Sequence, residues 1–129
     1  MNKIIARGLF VVLLAAALFA GLKSTPVPQV VSHFDLILHF GAFAALAGLW
    51  MIGFTRPPVG IFVLITIGLG IEVWQGWMLP GRTADGWDIL ANSLGVFCGW
   101  FSILLLSRFV LSRADKKAGL VEISIKNSK

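Results

Sequence analysis

Charged residues are scarce in this chain of 129 residues, and their scarcity excludes most water-soluble folds. They make up 13% of the sequence, against roughly 25% in an average soluble domain. Apolar residues make up 57%, which is more than one water-soluble domain of this length can bury. The sequence therefore predicts a lipid bilayer as the main solvent of the protein.

Cysteine is nearly absent, and the basic residues are not distributed as in a nucleic-acid-binding protein. The single Cys98 excludes an internal disulfide, and no Cys/His pair has the spacing of zinc ligands, so we predict no metal motif and no resident cofactor. The net charge is +5, but Lys and Arg lie at the ends of apolar segments. That distribution is typical of membrane topology signals, and we predict no nucleic-acid partner.

Four apolar segments cover residues 8–22, 36–54, 59–79 and 89–110. The last three match the ~20 residues that span a bilayer core. The first, with 15 residues, is short, and a cleaved signal peptide is an alternative interpretation. We favour a retained helix, since Leu18 is too large for the −3 position of a cleavage site and Lys3 can lengthen the span by snorkelling.

These segments predict an all-α fold, a membrane-embedded bundle of four transmembrane helices within residues 1–111. Residues 55–58, with Pro57 and Pro58, are predicted to form a tight turn. Residues 112–129 form a basic tail, expected either to lie on anionic headgroups or to be a structureless end. We find no internal repeat.

The charge distribution predicts the orientation. Nine of the 11 Lys and Arg residues fall in the N-terminus, in the turn at 55–58, or from Arg108 to the C-terminus, and only Lys23 and Arg82 fall in the other loops. By the positive-inside rule, both termini are cytoplasmic and the loops 23–35 and 80–88 face outward. The predicted location is the bacterial cytoplasmic (inner) membrane, as a multi-pass protein.

Strongly polar residues are confined to the ends of the apolar segments that should face outward. Asp35 and His39 are four residues apart on the second helix, and Asp88 and Asn92 are four apart on the fourth, so each pair shares a helix face. The face of Asp88 continues through a G-x-x-x-G step, where another helix can approach closely. The predicted polar cluster consists of Asp35, His39, Glu72, Gln75, Arg82, Asp85, Asp88 and Asn92.

Each of these residues also has a simpler structural interpretation. Asp88 and Asp35 are suited to cap the fourth and second helices. Arg82 can pair with an aspartate in solvent, where the contact contributes little. Gln75 and Asn92 can serve as interhelical hydrogen bonds, worth roughly 0.6 kcal/mol each. Glu72 is the exception, because it lies about two turns inside its span, where an ionised group costs roughly 2.5–3.5 kcal/mol.

The chain resembles the VanZ-like family of small bacterial membrane proteins over about residues 33–100. The family takes its name from a protein associated with teicoplanin resistance. The resemblance implies the architecture rather than a mechanism, and a dedicated resistance role does not follow because the chain is little more than the shared core. The matching motifs are His33-Phe34-Asp35-x3-His39-Phe40-x2-Phe43, Glu72-x2-Gln75, and Pro80-Gly81-Arg82-x2-Asp85-x2-Asp88-x3-Asn92-x2-Gly95-x3-Gly99.

Two functions of different class fit the predicted cluster. The first is binding or processing of an anionic lipid or a lipid-linked cell-envelope intermediate, in which Arg82 supplies a forked donor for phosphate. Ligand-binding candidates are Arg82, Gln75, Asp85, Asp88 and Asn92, and acid–base candidates are Glu72, His39 and Asp35. A divalent cation that bridges a carboxylate to phosphate is a further hypothesis, with oxygen ligands favouring magnesium or calcium.

The second function is structural. The same residues would form an interhelical network in an envelope assembly protein, so whether the chain is an enzyme stays open. Transport is disfavoured, since the inner halves of the second and third helices lack polar residues apart from Thr66. An oligomer could still build a pore, and the sequence leaves the oligomeric state open.

Overall fold

Four α-helices make up nearly all of the chain that the computed structural model describes, which is residues 1–23, 33–79 and 83–127. No strand occurs within these ranges. The helices are α1 (Lys3–Leu22), α2 (Phe34–Gly53), α3 (Pro57–Met78) and α4 (Gly86–Asn127). All four are long and apolar enough to cross a membrane, so the predicted all-α architecture with four candidate spans is confirmed.

The helix starts follow from local chemistry, and one of them corrects the predicted turn. Asn2 caps α1, because its side-chain oxygen accepts a hydrogen bond of 3.0 Å from the Ile4 amide. Pro57 and Pro58 were assigned to a turn, but they form the first residues of α3. Proline suits that position because its φ is preset for a helix and its missing N–H would have no helical partner. The turn is therefore confined to residues 54–56.

Helix α1 begins at Lys3 and packs as part of the bundle, and snorkelling of Lys3 stays a prediction. The Arg7 side chain donates through Nε to the Gly53 carbonyl at the end of α2, at 2.9 Å. Phe10 lies edge-on to Trp50 and to Phe54, with ring centroids 5.5 Å apart in both pairs. These contacts fit the predicted retained helix, and cleavage by a signal peptidase stays the untested alternative.

Helix α4 continues well past the predicted span. Its backbone is helical to Asn127, so the segment 112–127 of the tail extends the helix instead of forming a structureless end. Residues 107–118 contain no proline or glycine that would break the helix. The Arg113 guanidinium lies over the Phe109 ring, 4.2 Å from its centroid. Contact of this segment with lipid headgroups stays a prediction.

The contacts between helices define two opposite ends of the bundle. At one end, called here the basic end, Arg7 of α1 meets Gly53 of α2. At the other, called the polar end, His39 near the start of α2 meets Asp88 near the start of α4. Helices α2 and α4 therefore run in the same direction, and α3, which lies between them in the sequence, runs in the opposite direction.

Most large apolar side chains lie on the outer surface rather than in the core. Within the described residues the buried apolar core is small and centres on Phe43, Leu46, Leu64 and Val96. Exposed apolar side chains such as Val12 and Phe62 occur along the helices. Contiguous apolar surface of this extent is unfavourable in water and favourable against acyl chains.

Helices α2 and α4 approach each other at two glycines of α4. A β-carbon built on Gly95 would collide with the Phe40 carbonyl oxygen, and one on Gly99 would collide with the Ala44 carbonyl oxygen. In both cases the obstacle is backbone, which cannot rotate away as a side chain can. The predicted G-x-x-x-G contact face is therefore present, and its partner is α2.

We expect Gly99→Ala to destabilise the folded bundle by roughly 1–3 kcal/mol, because the added methyl group forces two helix backbones apart. The measurement is thermal unfolding in detergent. Gly70→Ala is the matched control, since nothing lies within 4 Å of its added carbon. Equal melting temperatures for the two variants would show that α2 and α4 are not in this close contact.

Candidate functional site

Three helices place four polar side chains together at the polar end. His39 comes from α2, Glu72 from α3, and Asp88 and Asn92 from α4; these four are called the polar cluster below. One ligand atom each from His39, Glu72 and Asp88 lie within 4.8 Å of one another. Glu72, Asn92 and Asp88 are 0%, 2% and 6% exposed, so the cluster is enclosed by the bundle and does not lie on its surface.

The histidine connects α2 to α4 through both ring nitrogens. His39 Nδ1 lies 3.0 Å from Asn92 Oδ1, which is hydrogen-bond distance. His39 Nε2 lies 3.6 Å from Asp88 Oδ2, which is longer than a good N–H···O bond. The spacing of four residues between Asp88 and Asn92 makes this possible, because both side chains project from one face of α4.

A glycine of α3 makes room for Asn92. A β-carbon built on Gly68 would lie 3.2 Å from both Cβ and Nδ2 of Asn92 and 3.3 Å from the Phe43 ring. A larger residue there would require Asn92 or the Phe43 ring to shift by a few tenths of an ångström. Gly68 and Glu72 are four residues apart, so this small-residue position and the carboxylate share one face of α3.

Glu72 reaches the start of α4. Its Oε2 accepts a hydrogen bond of 3.2 Å from the Asp85 backbone amide. The Asp85 side chain in turn accepts from the Trp87 amide at 2.9 Å, which is the geometry of a helix N-cap. The interpretation of Asp88 as the cap of α4 is therefore wrong: Asp85 caps the helix, and Asp88 is buried in its first turn.

Two other predicted residues do not join the cluster. Gln75 is buried, but its Nε2 donates at 2.9 Å to the Gly21 carbonyl in the last turn of α1, where helix carbonyls lack helical partners. Asp35 is half-buried, and its carboxylate accepts a local hydrogen bond from the Leu36 amide at 3.0 Å. His33, not Asp35, occupies the N-cap position of α2, with a left-handed backbone at φ 60°.

Arg82, the predicted phosphate donor, lies outside the described residues together with Pro80 and Gly81. The nearest described positions are Leu79 at the end of α3 and Thr83. The contact of Arg82 with Asp85 therefore stays a prediction from the sequence.

Tryptophans and an apolar groove surround the polar end. Trp74, Trp77 and Trp87 are exposed there, as is typical of tryptophans at a membrane–water interface. A groove of about 350 Å³ runs between α2 and α4 and includes Leu36, Phe40, Leu90 and Leu94 in its lining. Sequence reasoning missed the groove, because an apolar residue that lines a groove looks like any other apolar residue of a span.

The polar cluster contains several hydrogen-bond acceptors and one imidazole, but few hydrogen-bond donors among the described residues. Carboxylates from two helices and a ring nitrogen from a third can transfer a proton or bind a cation. Anion binding needs a donor, and the buried Asn92 Nδ2, which has no hydrogen-bond partner among the described residues, is one. No hydroxyl or thiol nucleophile belongs to the cluster within the described ranges, so the geometry indicates binding more directly than covalent catalysis.

Comparison with known proteins adds no relative. The chain matches no protein-family model, and no similar protein was found among curated sequences or solved structures. The VanZ-like resemblance therefore rests on the motifs alone, and the functional argument rests on the site.

Proposed function

We propose that this chain is a multi-pass, VanZ-like protein of the bacterial cytoplasmic membrane that binds an anionic lipid or a lipid-linked cell-envelope intermediate at its polar end. One observation carries the proposal: Glu72, Asp88 and His39 from three apolar helices meet in one enclosed cluster. Placing ionisable groups at membrane depth costs roughly 2.5–3.5 kcal/mol each on insertion scales, and such residues are generally retained for function.

The proposed orientation puts the polar end at the outer leaflet. The basic end holds Arg7 and Arg56, and α4 carries further basic residues beyond its span. Clustering of Lys and Arg on one side supports a cytoplasmic position for that side. The polar cluster then lies near the outer headgroups, where a lipid-linked envelope intermediate is present.

The groove between α2 and α4 supports a lipid rather than a water-soluble ligand. The residues that line the groove are close in sequence to the polar cluster. Leu36 and Phe40 lie on either side of His39 along α2, and Leu90 lies two residues before Asn92 on α4. An amphiphile bound here would place an acyl chain in the apolar groove and its headgroup at the polar end. Arg82, three residues before Asp85 in the chain, is the residue that we propose for the phosphate.

A structural role is the second candidate, and two contacts favour it. Gln75 bonds the Gly21 carbonyl and His39 bonds Asn92, so each contact joins two different helices. In that case the cluster holds the helices in register in an envelope assembly protein. Leaving one partner of a buried hydrogen bond unsatisfied costs about 1–3 kcal/mol, so this role predicts loss of folded protein when such partners are removed.

Orientation is tested with one introduced cysteine. Ala84 is exposed beside α4, so Ala84→Cys in a Cys98→Ser background should react with a membrane-impermeant maleimide added outside intact spheroplasts. A cysteine at Thr55, exposed in the turn at the basic end, is the matched control and should react only after lysis. The reverse pattern would place the polar end in the cytoplasm and contradict the proposal.

Lipid binding is tested by native mass spectrometry of the purified protein with phosphatidylglycerol, a polyprenyl phosphate and neutral phosphatidylcholine. We expect binding of the preferred anionic lipid to weaken by about tenfold or more, or about 1.4 kcal/mol, in Arg82→Ala and Glu72→Gln. The Arg108→Ala variant removes the same charge from the far part of α4 and should bind like the unmodified protein.

Melting temperature and membrane abundance separate the two functions. Lost binding with unchanged stability supports the ligand site, and comparison of the two anionic lipids identifies the source of the phosphate. Loss of folded protein in both variants favours the structural network. Unchanged lipid binding in both folded variants would refute the lipid-binding function.

A further inference from the structure

The two ring nitrogens of His39 face two different kinds of neighbour. Nδ1 faces an amide oxygen, Asn92 Oδ1, at 3.0 Å. An amide oxygen only accepts, so this contact places the ring proton on Nδ1. In the neutral ring, Nε2 then carries a lone pair, and it faces another acceptor, Asp88 Oδ2.

The distance between these two acceptors fits a shared cation. At 3.6 Å, His39 Nε2 and Asp88 Oδ2 are too far apart for a good hydrogen bond. Two ligands of one tetrahedral ion with bonds of about 2.0 Å lie roughly 3.3 Å apart, which is close to the observed separation. An oxygen of Glu72 completes a set of three atoms within 4.8 Å.

We propose that His39 Nε2, Glu72 and Asp88 bind one divalent transition-metal ion of the Zn²⁺ or Mn²⁺ class. The imidazole favours these ions over magnesium and calcium, which prefer oxygen ligands. Two carboxylates and a neutral imidazole around a divalent cation carry no net charge, which suits a site enclosed by apolar helices. Three protein ligands leave a coordination position for an external oxygen.

Asn92 is the positioning residue of this site. Ligating histidines almost always donate their second ring N–H to an oxygen acceptor, which orients the ring, and Asn92 Oδ1 occupies that place. Its Nδ2, buried and without a hydrogen-bond partner among the described residues, is a remaining donor beside the site. The first feature is typical of a ligating histidine, and the second offers a hydrogen-bond donor to an oxygen bound at the open position.

The metal would also supply positive charge for an anionic headgroup. This role of the metal rests on the proposed lipid function, since a phosphate oxygen would take the open position. The metal site itself needs no lipid, because its three ligands all come from the chain.

The experiment uses the full-length protein, purified in a neutral detergent, freed of any affinity tag and stripped with a chelator. Zn²⁺, Mn²⁺ and Mg²⁺ are added separately, and metal content is measured by elemental mass spectrometry after desalting. We expect about one Zn²⁺ or Mn²⁺ per chain, little Mg²⁺, and a rise in melting temperature with Zn²⁺ or Mn²⁺, because a ligand bound only to the folded state stabilises it.

Matched histidine variants test the assignment. His39→Asn should lose the bound metal, whereas His33→Asn, an exposed histidine at the start of α2, should retain it. Asn92→Ala should weaken metal affinity by roughly 10–100-fold, as loss of an orienting partner does. X-ray absorption of the unmodified protein loaded with zinc provides a second measurement that does not depend on the folding of His39→Asn. It should show mixed nitrogen and oxygen ligands and no sulfur.

Three results would overturn the proposal: no stoichiometric uptake of Zn²⁺ or Mn²⁺, equal uptake by folded His39→Asn and His33→Asn, or a spectrum without nitrogen ligands. In those cases the cluster holds no metal, and His39 and Asp88 face each other directly. Lipid binding without metal uptake would refute the metal site and leave the lipid function standing. Metal uptake without lipid binding would refute the lipid function and leave the metal site standing.

Discussion

The close contact between α2 and α4 is the constraint on which the polar end depends. Gly95 and Gly99 bring the α4 backbone against the carbonyls of Phe40 and Ala44. At that separation His39 can reach Asn92 one turn further along, and its other nitrogen comes near Asp88. Lipid offers no hydrophobic drive for helix association, so close packing and interhelical polar contacts must hold the helices together.

The bundle separates two kinds of packing along its length. Toward the basic end, Phe10, Trp50 and Phe54 form an aromatic group, with Trp50 and Phe54 stacked at 4.4 Å. Trp50 lies against Gly60, where any side chain would collide with the indole ring. Toward the polar end, hydrogen bonds replace aromatic contacts, and Gly68 provides the space for Asn92. This asymmetry favours a site that opens at one end over a continuous channel.

Much of the fold follows from the sequence because lipid imposes a simple rule. A span needs ~20 apolar residues, and the apolar segments therefore located all four helices. The errors lie at helix ends, where local chemistry decides. Proline breaks a helix interior, but Pro57 and Pro58 suit the first turn of α3. Asp88 was expected to cap α4, but Asp85 caps it. Hydropathy also does not predict the secondary structure of the polar tail, where α4 continues to Asn127.

The sequence by itself determined which residues are polar within apolar spans, that they share one end, and that Glu72 is too deep for a solvated surface. Only the tertiary structure decided which of them meet. Gln75 and Glu72 are three residues apart, yet one bonds α1 and the other contacts the start of α4. The reason is physical: rotation of each helix about its axis is set by glycine contacts and close packing. Apolar residues that face lipid and those that face the bundle are too similar in composition to reveal that rotation.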